Sequence, residues 1–370
     1  MVSKDCSFKS TNSFQLNLLK QMVSCNKDSN SVFSPLSMYL ALSLAANGAV
    51  GQTQSEILSL LQETSIEEVN SKSSSMMKSE CFSSSGRNVL SMANGIFSRA
   101  TPSKEFQSVS SSVFSSSCEM LKSADQINKW CSERTSGKID KIISSVSDDM
   151  QMLLMNAVYF KGEWMSKFKK SCTSKKSFFN KMNSECSVEM MEQIINTNFS
   201  ESSSMQMVEL CYADSNLSSF IMLPSMNMSI DDLILKMDSS EFSSCFSSMK
   251  KSSVQLSMPR FVVESQMSMK SILQCMGMSS CFTSSADFSC MSSERHVQLG
   301  DVVHKSFMRV DEEGTEAAST SMAEVSSKKV VTSEVKMNVN RPFLLIVRDK
   351  SIDQMLFMAK VENIVSQSSS

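Results

Sequence analysis

An α+β architecture is the fold class this sequence predicts from three observations, although its length alone would allow two or three domains. Helical patterns crowd the first part of the chain while strand-like apolar runs dominate the second half, an order unlike a parallel βαβ series. The clearest run, MLLMNAVYF at Met152–Phe160, is apolar but for Asn156, the pattern of a strand covered on both faces. Hydrophobic residues make up 41% of the 370, enough for a large core, and no tandem repeat divides the chain.

Taken in order, Phe14, Leu16, Leu18, Leu19 and Met22 suit one face of an N-terminal helix. Asn30–Gln62, NSVFSPLSMYLALSLAANGAVGQTQSEILSLLQ, reads as buried helix entered from Ser34-Pro35, since proline's missing N–H costs little in a first turn. A second helix follows NGAVGQTQ, with Thr53 as its expected N-cap and Glu56 three residues on. Ser65–Ser85 and Ser108–Ser117 are serine-rich and weakly patterned, and are expected to be surface loops. Ile127–Ile143 reads as one amphipathic helix with Ile127, Trp130, Ile139 and Ile142 on a common face. Further strands are expected at Ser219–Pro224, Val254–Ser265, Phe343–Val347 and Gln354–Val361.

Charge and composition exclude several classes of function. A net charge of −2 and a pI near 5.9 give no nucleic-acid footprint and no polybasic membrane surface. No apolar run reaches the roughly 18 residues of a membrane span. The N-terminus lacks a signal peptide's apolar core, so the twelve cysteines, none in a CxxC pair, are expected to be free thiols in a cytosolic protein. Serine supplies roughly a fifth of the residues, against 9 Gly and 5 Pro where average usage gives about 26 and 18. Turns that need positive φ must then rely on Ser, Asn or Asp.

An ordinary enzyme is not indicated. The chain has two histidines, His296 and His304, and no G-x-S-x-G elbow. Cys275, Cys281 and Cys290 are too widely spaced for a structural zinc site, and no phosphate-cradling glycine loop occurs. The 32 methionines are scattered and read as core filler. No metal and no cofactor are expected.

The segment DEEGTEAASTSMAEVSSKKVV, Asp311–Val331, is different in kind. From Thr315, alternate residues are Thr315, Ala317, Ser319, Ser321, Ala323, Val325 and Ser327, all uncharged and small or medium. Glu316 and Glu324 both fall on the opposite face, and no proline occurs between Gly314 and Pro342. An exposed segment with this alternation is fit to become a central strand.

With NSVFSPLSM, INKWCSERTSGKI, MNAVYFKGEW, MPRF, VVHKSFMRVDEEGTEAA and RPFLLIV in order, the chain resembles the serpins, in their ovalbumin-like intracellular branch, from about Phe14 to Val361. The resemblance implies one serpin domain over residues 1–370, with three β-sheets and about nine helices. It also implies an exposed reactive centre loop at about 314–340; the tail 365–370 is expected to be disordered.

The implied activity is suicide inhibition of a protease. A target cuts the loop and is held as an acyl ester while the loop's N-terminal part inserts into the main sheet. The hinge would be Glu313, Gly314, Thr315, Glu316, Ala317, Ala318, Ser319, Thr320 and Ser321. The family spacing puts the reactive bond at Lys328, with Lys329 one step on and Ser327 if the register shifts. Lysine there fits the acidic pocket of trypsin-like serine proteases; a cysteine protease remains an alternative target, and a non-inhibitory binding, storage or chaperone role the alternative function. Ser34, Ser37, Asn156 and His304 match the polar shutter cluster beneath the main sheet, and Trp164 matches the breach at its top. No heparin site is expected, because no Lys/Arg stripe marks the second-quarter helices, and the chain is expected to be a monomer. Departures from the family pattern are Ala359 for a usual glycine, Ile364 and Cys211 for usual prolines, and a shortened stretch between Phe114 and Ile127.

Overall fold

The computed structural model describes residues 9–25, 29–79, 82, 88–213, 215–292, 297–315 and 335–364. Nine α-helices occur among them: α1 (Lys9–Cys25), α2 (Pro35–Gly48), α3 (Gly51–Leu61), α4 (Ile66–Met77), α5 (Lys104–Phe114), α6 (Ala124–Arg134), α7 (Ile230–Lys236), α8 (Ser239–Ser247) and α9 (Lys270–Cys275). The strands are β1 (Ser31–Phe33), β2 (Val89–Ser98), β3 (Ser117–Met120), β4 (Met152–Glu163), β5 (Ser174–Phe179), β6 (Glu185–Glu201), β7 (Met205–Cys211), β8 (Leu217–Pro224), β9 (Lys250–Pro259), β10 (Phe261–Ser268), β11 (Leu299–Val310), β12 (Gly314–Thr315), β13 (Val335–Asn338), β14 (Phe343–Asp349) and β15 (Gln354–Val361).

Helix starts follow local chemistry, with two surprises. Ser34 caps α2, its Oγ accepting from the Ser37 N–H with Pro35 in the first turn, as the sequence predicts. Thr53 does not cap α3, which begins two residues earlier at Gly51 without a side-chain cap. Instead Thr53 Oγ1 accepts from the Asp287 N–H at 2.9 Å, and Glu56 accepts from the Ser279 and Ser280 N–H groups at 2.8 Å. A long-range demand on both side chains displaced the local one.

The serine-rich stretches are largely helical, against expectation. Ser65 caps α4, and Ser108–Phe114 completes α5, where Ser110, Ser111 and Ser112 return hydrogen bonds to carbonyls four residues back. Burial of Phe106, Ser110 and Phe114 along one stripe holds that helix. Conversely, α6 stops at Arg134. Ser136 and Gly137 take positive φ, and Thr135 Oγ1 accepts the Ile139 N–H, so Ile139 and Ile142 are buried from an irregular segment. The shortened stretch ahead of it yields the four-residue β3 and an α6 capped by Ser123. Four of the five non-glycine residues with positive φ are Ser115, Ser136, Asn183 and Asp353, as glycine scarcity implies.

The main sheet has the order β10-β11-β12-β4-β2-β3, with β11 and β4 also paired directly in parallel below β12. The other network runs β1-β15-β14-β8-β7-β6-β9-β13, with β5 on β6. It behaves as two sheets sharing one strand: β6 pairs with β5 and β9 along most of its length and with β7 only over Phe199–Glu201. Counted this way there are three sheets.

Every residue of β8 and β15 is buried, and the large core lies between these strands, α1, α2 and the inner face of the main sheet. Methionines such as Met22, Met38, Met207, Met222 and Met358 fill it, as scattered spacing suggests. On the sheet's other face a smaller cluster packs Ile127, Trp130 and Cys131 of α6 against Ala93, Phe97, Leu153, Met155 and Ala157.

Candidate functional site

Two constructions lie along the seam where β4 and β11 meet. The first is a polar row beneath the middle of the main sheet. Strand register sets Asn94 opposite Asn156 and Asn156 opposite His304, so three polar side chains line up across β2, β4 and β11. All are buried, and the α2 N-terminus supplies Ser34 and Ser37 from below.

Asn156 uses its whole amide. Its Oδ1 accepts from the Ser37 hydroxyl at 2.8 Å and closely from His304 Nδ1, while its Nδ2 donates to the Ser37 carbonyl at 3.3 Å and closely to Asn94 Oδ1. His304 Nε2 accepts from the Ser34 N–H at 3.2 Å and lies 2.7 Å from the Ser306 hydroxyl. Nδ1 therefore carries the ring proton and the imidazole is neutral. Burial pushes its pKa down to about 3. The four shutter residues expected from sequence are thus brought together. Asn94 and Ser306 were missed, although Asn94 is a lone amide in a buried strand, the same signal that marks Asn156.

The second construction sits at the top of the seam. Gly314 and Thr315 form β12, wedged between the strands, with Thr315 paired to both Val310 and Gly162. The approach is close enough to demand glycine: a Cβ on Gly314 would stand 2.0 Å from the Gly162 carbonyl oxygen.

Glu312 and Glu313 anchor the chain just ahead. Their carbonyls accept from the Phe168 and Trp164 N–H groups at 3.0 and 2.9 Å. The Glu312 carboxylate, 2% exposed, accepts from Arg260 Nε at 2.7 Å and closely from a second guanidinium nitrogen and from Thr173. Burial alone would raise the Glu312 carboxyl, but Arg260 and Thr173 outweigh it and hold it below the usual carboxylate range. Glu313 pairs with Lys167 at 2.9 Å, and that hydrogen-bonded pair raises the lysine.

Trp164 closes this end. It is 2% exposed, stacks on Tyr212 with ring centroids 4.7 Å apart, and donates from Nε1 to the Asp311 carbonyl at 3.0 Å. Tyr212 was not singled out from sequence. Its hydroxyl lies 2.6 Å from both Ser219 Oγ and Thr315 Oγ1, and burial raises its pKa.

Of the expected hinge, Glu313, Gly314 and Thr315 are therefore placed. Glu316, Ala317, Ala318, Ser319, Thr320, Ser321, Lys328 and Lys329 lie outside the described residues, as do His296 and the tail 365–370. Among the described residues no group of three or more His, Cys, Asp or Glu is arranged to hold a metal, and ten cysteines are free thiols.

Comparison with known proteins agrees with this geometry. The family profile described as serpin (serine protease inhibitor) matches residues 9–364. Iripin-2 of Ixodes ricinus is 29% identical over 96% of this chain and 93% of its own length. The leukocyte elastase inhibitor of Xenopus tropicalis is 30% identical, with 94% and 96% covered. Among solved structures, the thermophilic serpin tengpin in its native state superposes with a TM-score of 0.90 at 26% identity, covering 98% of this chain and 95% of tengpin. With a family match spanning nearly its whole length, the chain belongs to the serpin family.

Proposed function

We propose that the chain is a suicide inhibitor of trypsin-like serine proteases. The observation that carries this reading is the double pairing of Thr315, which seats the start of the hinge in the seam antiparallel to both β4 and β11. If that ladder is continued, each loop residue steps one place along both neighbours. Ala317 then falls beside Phe160 and Met308, Ser319 beside Val158 and Ser306, and Ser321 beside Asn156 and His304.

The small alternate residues of the loop would share the inner face with Thr315, whose side chain is fully buried. Val325 would reach Met152, where β4 begins, so the inserted strand runs out just short of Lys328. Loop and seam are matched in length, alternation and polarity, with Ser321 replacing the interstrand partners that Asn156 and His304 lose. In this scheme the protease serine attacks the carbonyl carbon of Lys328 or Lys329, forming the acyl ester, and the amine of the next residue leaves. The ester is then carried away from solvent before water cleaves it.

Mixing with trypsin, followed by denaturing electrophoresis and N-terminal sequencing of the released peptide, tests the reading. It predicts a denaturation-resistant band near the summed mass and a peptide beginning at Lys329 or Val330. Complete cleavage with fully active trypsin would overturn inhibition and leave a non-inhibitory member of the family.

A further inference from the structure

A buried relay of three hydroxyls ties the hinge to the core. Ser219 on β8, Tyr212 just beyond β7 and Thr315 on β12 are all fully buried, and the Tyr212 oxygen is 2.6 Å from each of the other two. Tyr212 is itself held rigidly. Its ring stacks on Trp164 and meets Phe160 edge-on at 5.1 Å, and its backbone N–H donates to the Leu217 carbonyl at 3.1 Å. A phenol has one proton to give and readily accepts one, so Tyr212 can satisfy both neighbours at once. A buried hydroxyl deprived of its partner carries a desolvation penalty, whereas an apolar side chain of the same shape does not.

We propose that Tyr212 is a positioning residue that latches Thr315 in the seam, making this top position selective for a hydroxyl and keeping the hinge started into the sheet before any cleavage. Expelling Thr315 leaves the Tyr212 hydroxyl with Ser219 alone, so the latch favours the seated hinge. Glu312 and Glu313 fix the chain one step upstream, so the free pivot is confined to Gly314 and Thr315. Seating the first pair in advance shortens what insertion must accomplish while a protease is ester-linked. That consequence rests on the inhibitory reading; the latch itself does not.

Tyr212→Phe keeps the ring and removes the relay's centre, and hydrogen exchange of the uncleaved protein reads the result. Exchange of the Glu312–Thr315 backbone should rise about tenfold, the equilibrium equivalent of one lost buried hydrogen bond. Adding Thr315→Val removes the stranded hydroxyl, so exchange in the double variant should return toward wild type; a role in packing alone predicts no such rescue. Unchanged exchange in Tyr212→Phe, or no rescue by Thr315→Val, would overturn the proposal.

With trypsin, Tyr212→Phe should also raise the amount of protein cleaved per enzyme trapped. If wild type traps nothing, the inhibitory reading fails while the exchange result still decides the latch. If wild type traps and Tyr212→Phe partitions identically, the latch's part in insertion fails.

Discussion

The β4–β11 seam and the β8–β14–β15 sheet lie in one core, yet they are built on opposite rules. The second is antiparallel, and Arg348 is its one residue short of full burial, so its cohesion comes from side chains such as Phe357, Ile346 and Leu344. The seam is a parallel ladder whose inner face carries Asn156, His304 and Ser306, hydrogen-bonded to one another and to the start of α2. Apolar contact is non-directional and resists separation everywhere at once. A hydrogen-bonded row holds a defined geometry, and its groups can exchange partners when a new strand with a hydroxyl arrives. Apolar contact keeps the one sheet shut, whereas the seam is held by hydrogen bonds that an inserting strand, as proposed, would exchange.

The contrast can be broken most completely at Thr315. Arginine at this fully buried place has no room and no anionic partner in the relay, so Thr315→Arg should convert trapping of trypsin into simple cleavage, read as loss of the resistant band. Loop-cut and uncut forms of that variant should then unfold alike.

On the closed side, Phe357→Ala should destabilise the uncut protein by about 3–5 kcal/mol in denaturant titration. Phe357 is buried against Phe160, with centroids 6.0 Å apart, and a cavity there weakens cut and uncut forms equally. At the seam, Asn156→Ala strands Ser37, Asn94 and His304 together and should destabilise the uncut form by about 2–4 kcal/mol. The cut form should lose less, because the inserted strand separates those groups in any case.

Acid sharpens the same difference. His304 is neutral in the fold, its pKa lowered from 6.5 to about 3, so between these values the unfolded chain binds a proton that the folded chain refuses. The contribution of a neutral His304 to stability is therefore full above about pH 6.5 and is lost with acid by up to about 1.4 kcal/mol per pH unit toward pH 3. Denaturant titrations at pH 7 and 5 should show the loss in wild type, and His304→Gln should remove most of it over that interval.

The closed region was the more legible of the two. The apolar run at Phe343–Val347, and Gln354–Val361, apolar between Gln354 and Lys360, both point to covered strands and were read from the sequence with nearly their observed bounds. The seam was read differently. The alternation after Gly314 is visible chemistry, but the gathering of Ser34, Ser37, Asn156 and His304 came from resemblance, since no local rule brings residues so distant in sequence together. Asn94 was recoverable as an amide inside a buried strand; Tyr212 was not, because a single tyrosine gives no sign of the hydroxyls that fold around it. The helices α4 and α5 were hidden by serine, whose weak intrinsic preference was overridden by caps, back-bonds and an apolar stripe. Ile139 and Ile142 misled in the other direction, keeping helical spacing past a turn set by Thr135, Ser136 and Gly137.

The proposed function requires the β4–β11 seam, closed by direct pairing, to open and take in the chain's own loop. Limited trypsin digestion to a single loop cut, followed by thermal unfolding of cut and uncut protein, tests it without any trapped enzyme. The cut form should unfold far above the uncut one, as a new central strand completes the main sheet. Equal or lower unfolding temperatures after the cut would contradict the claim and leave the double pairing of Thr315 as a local feature of the sheet.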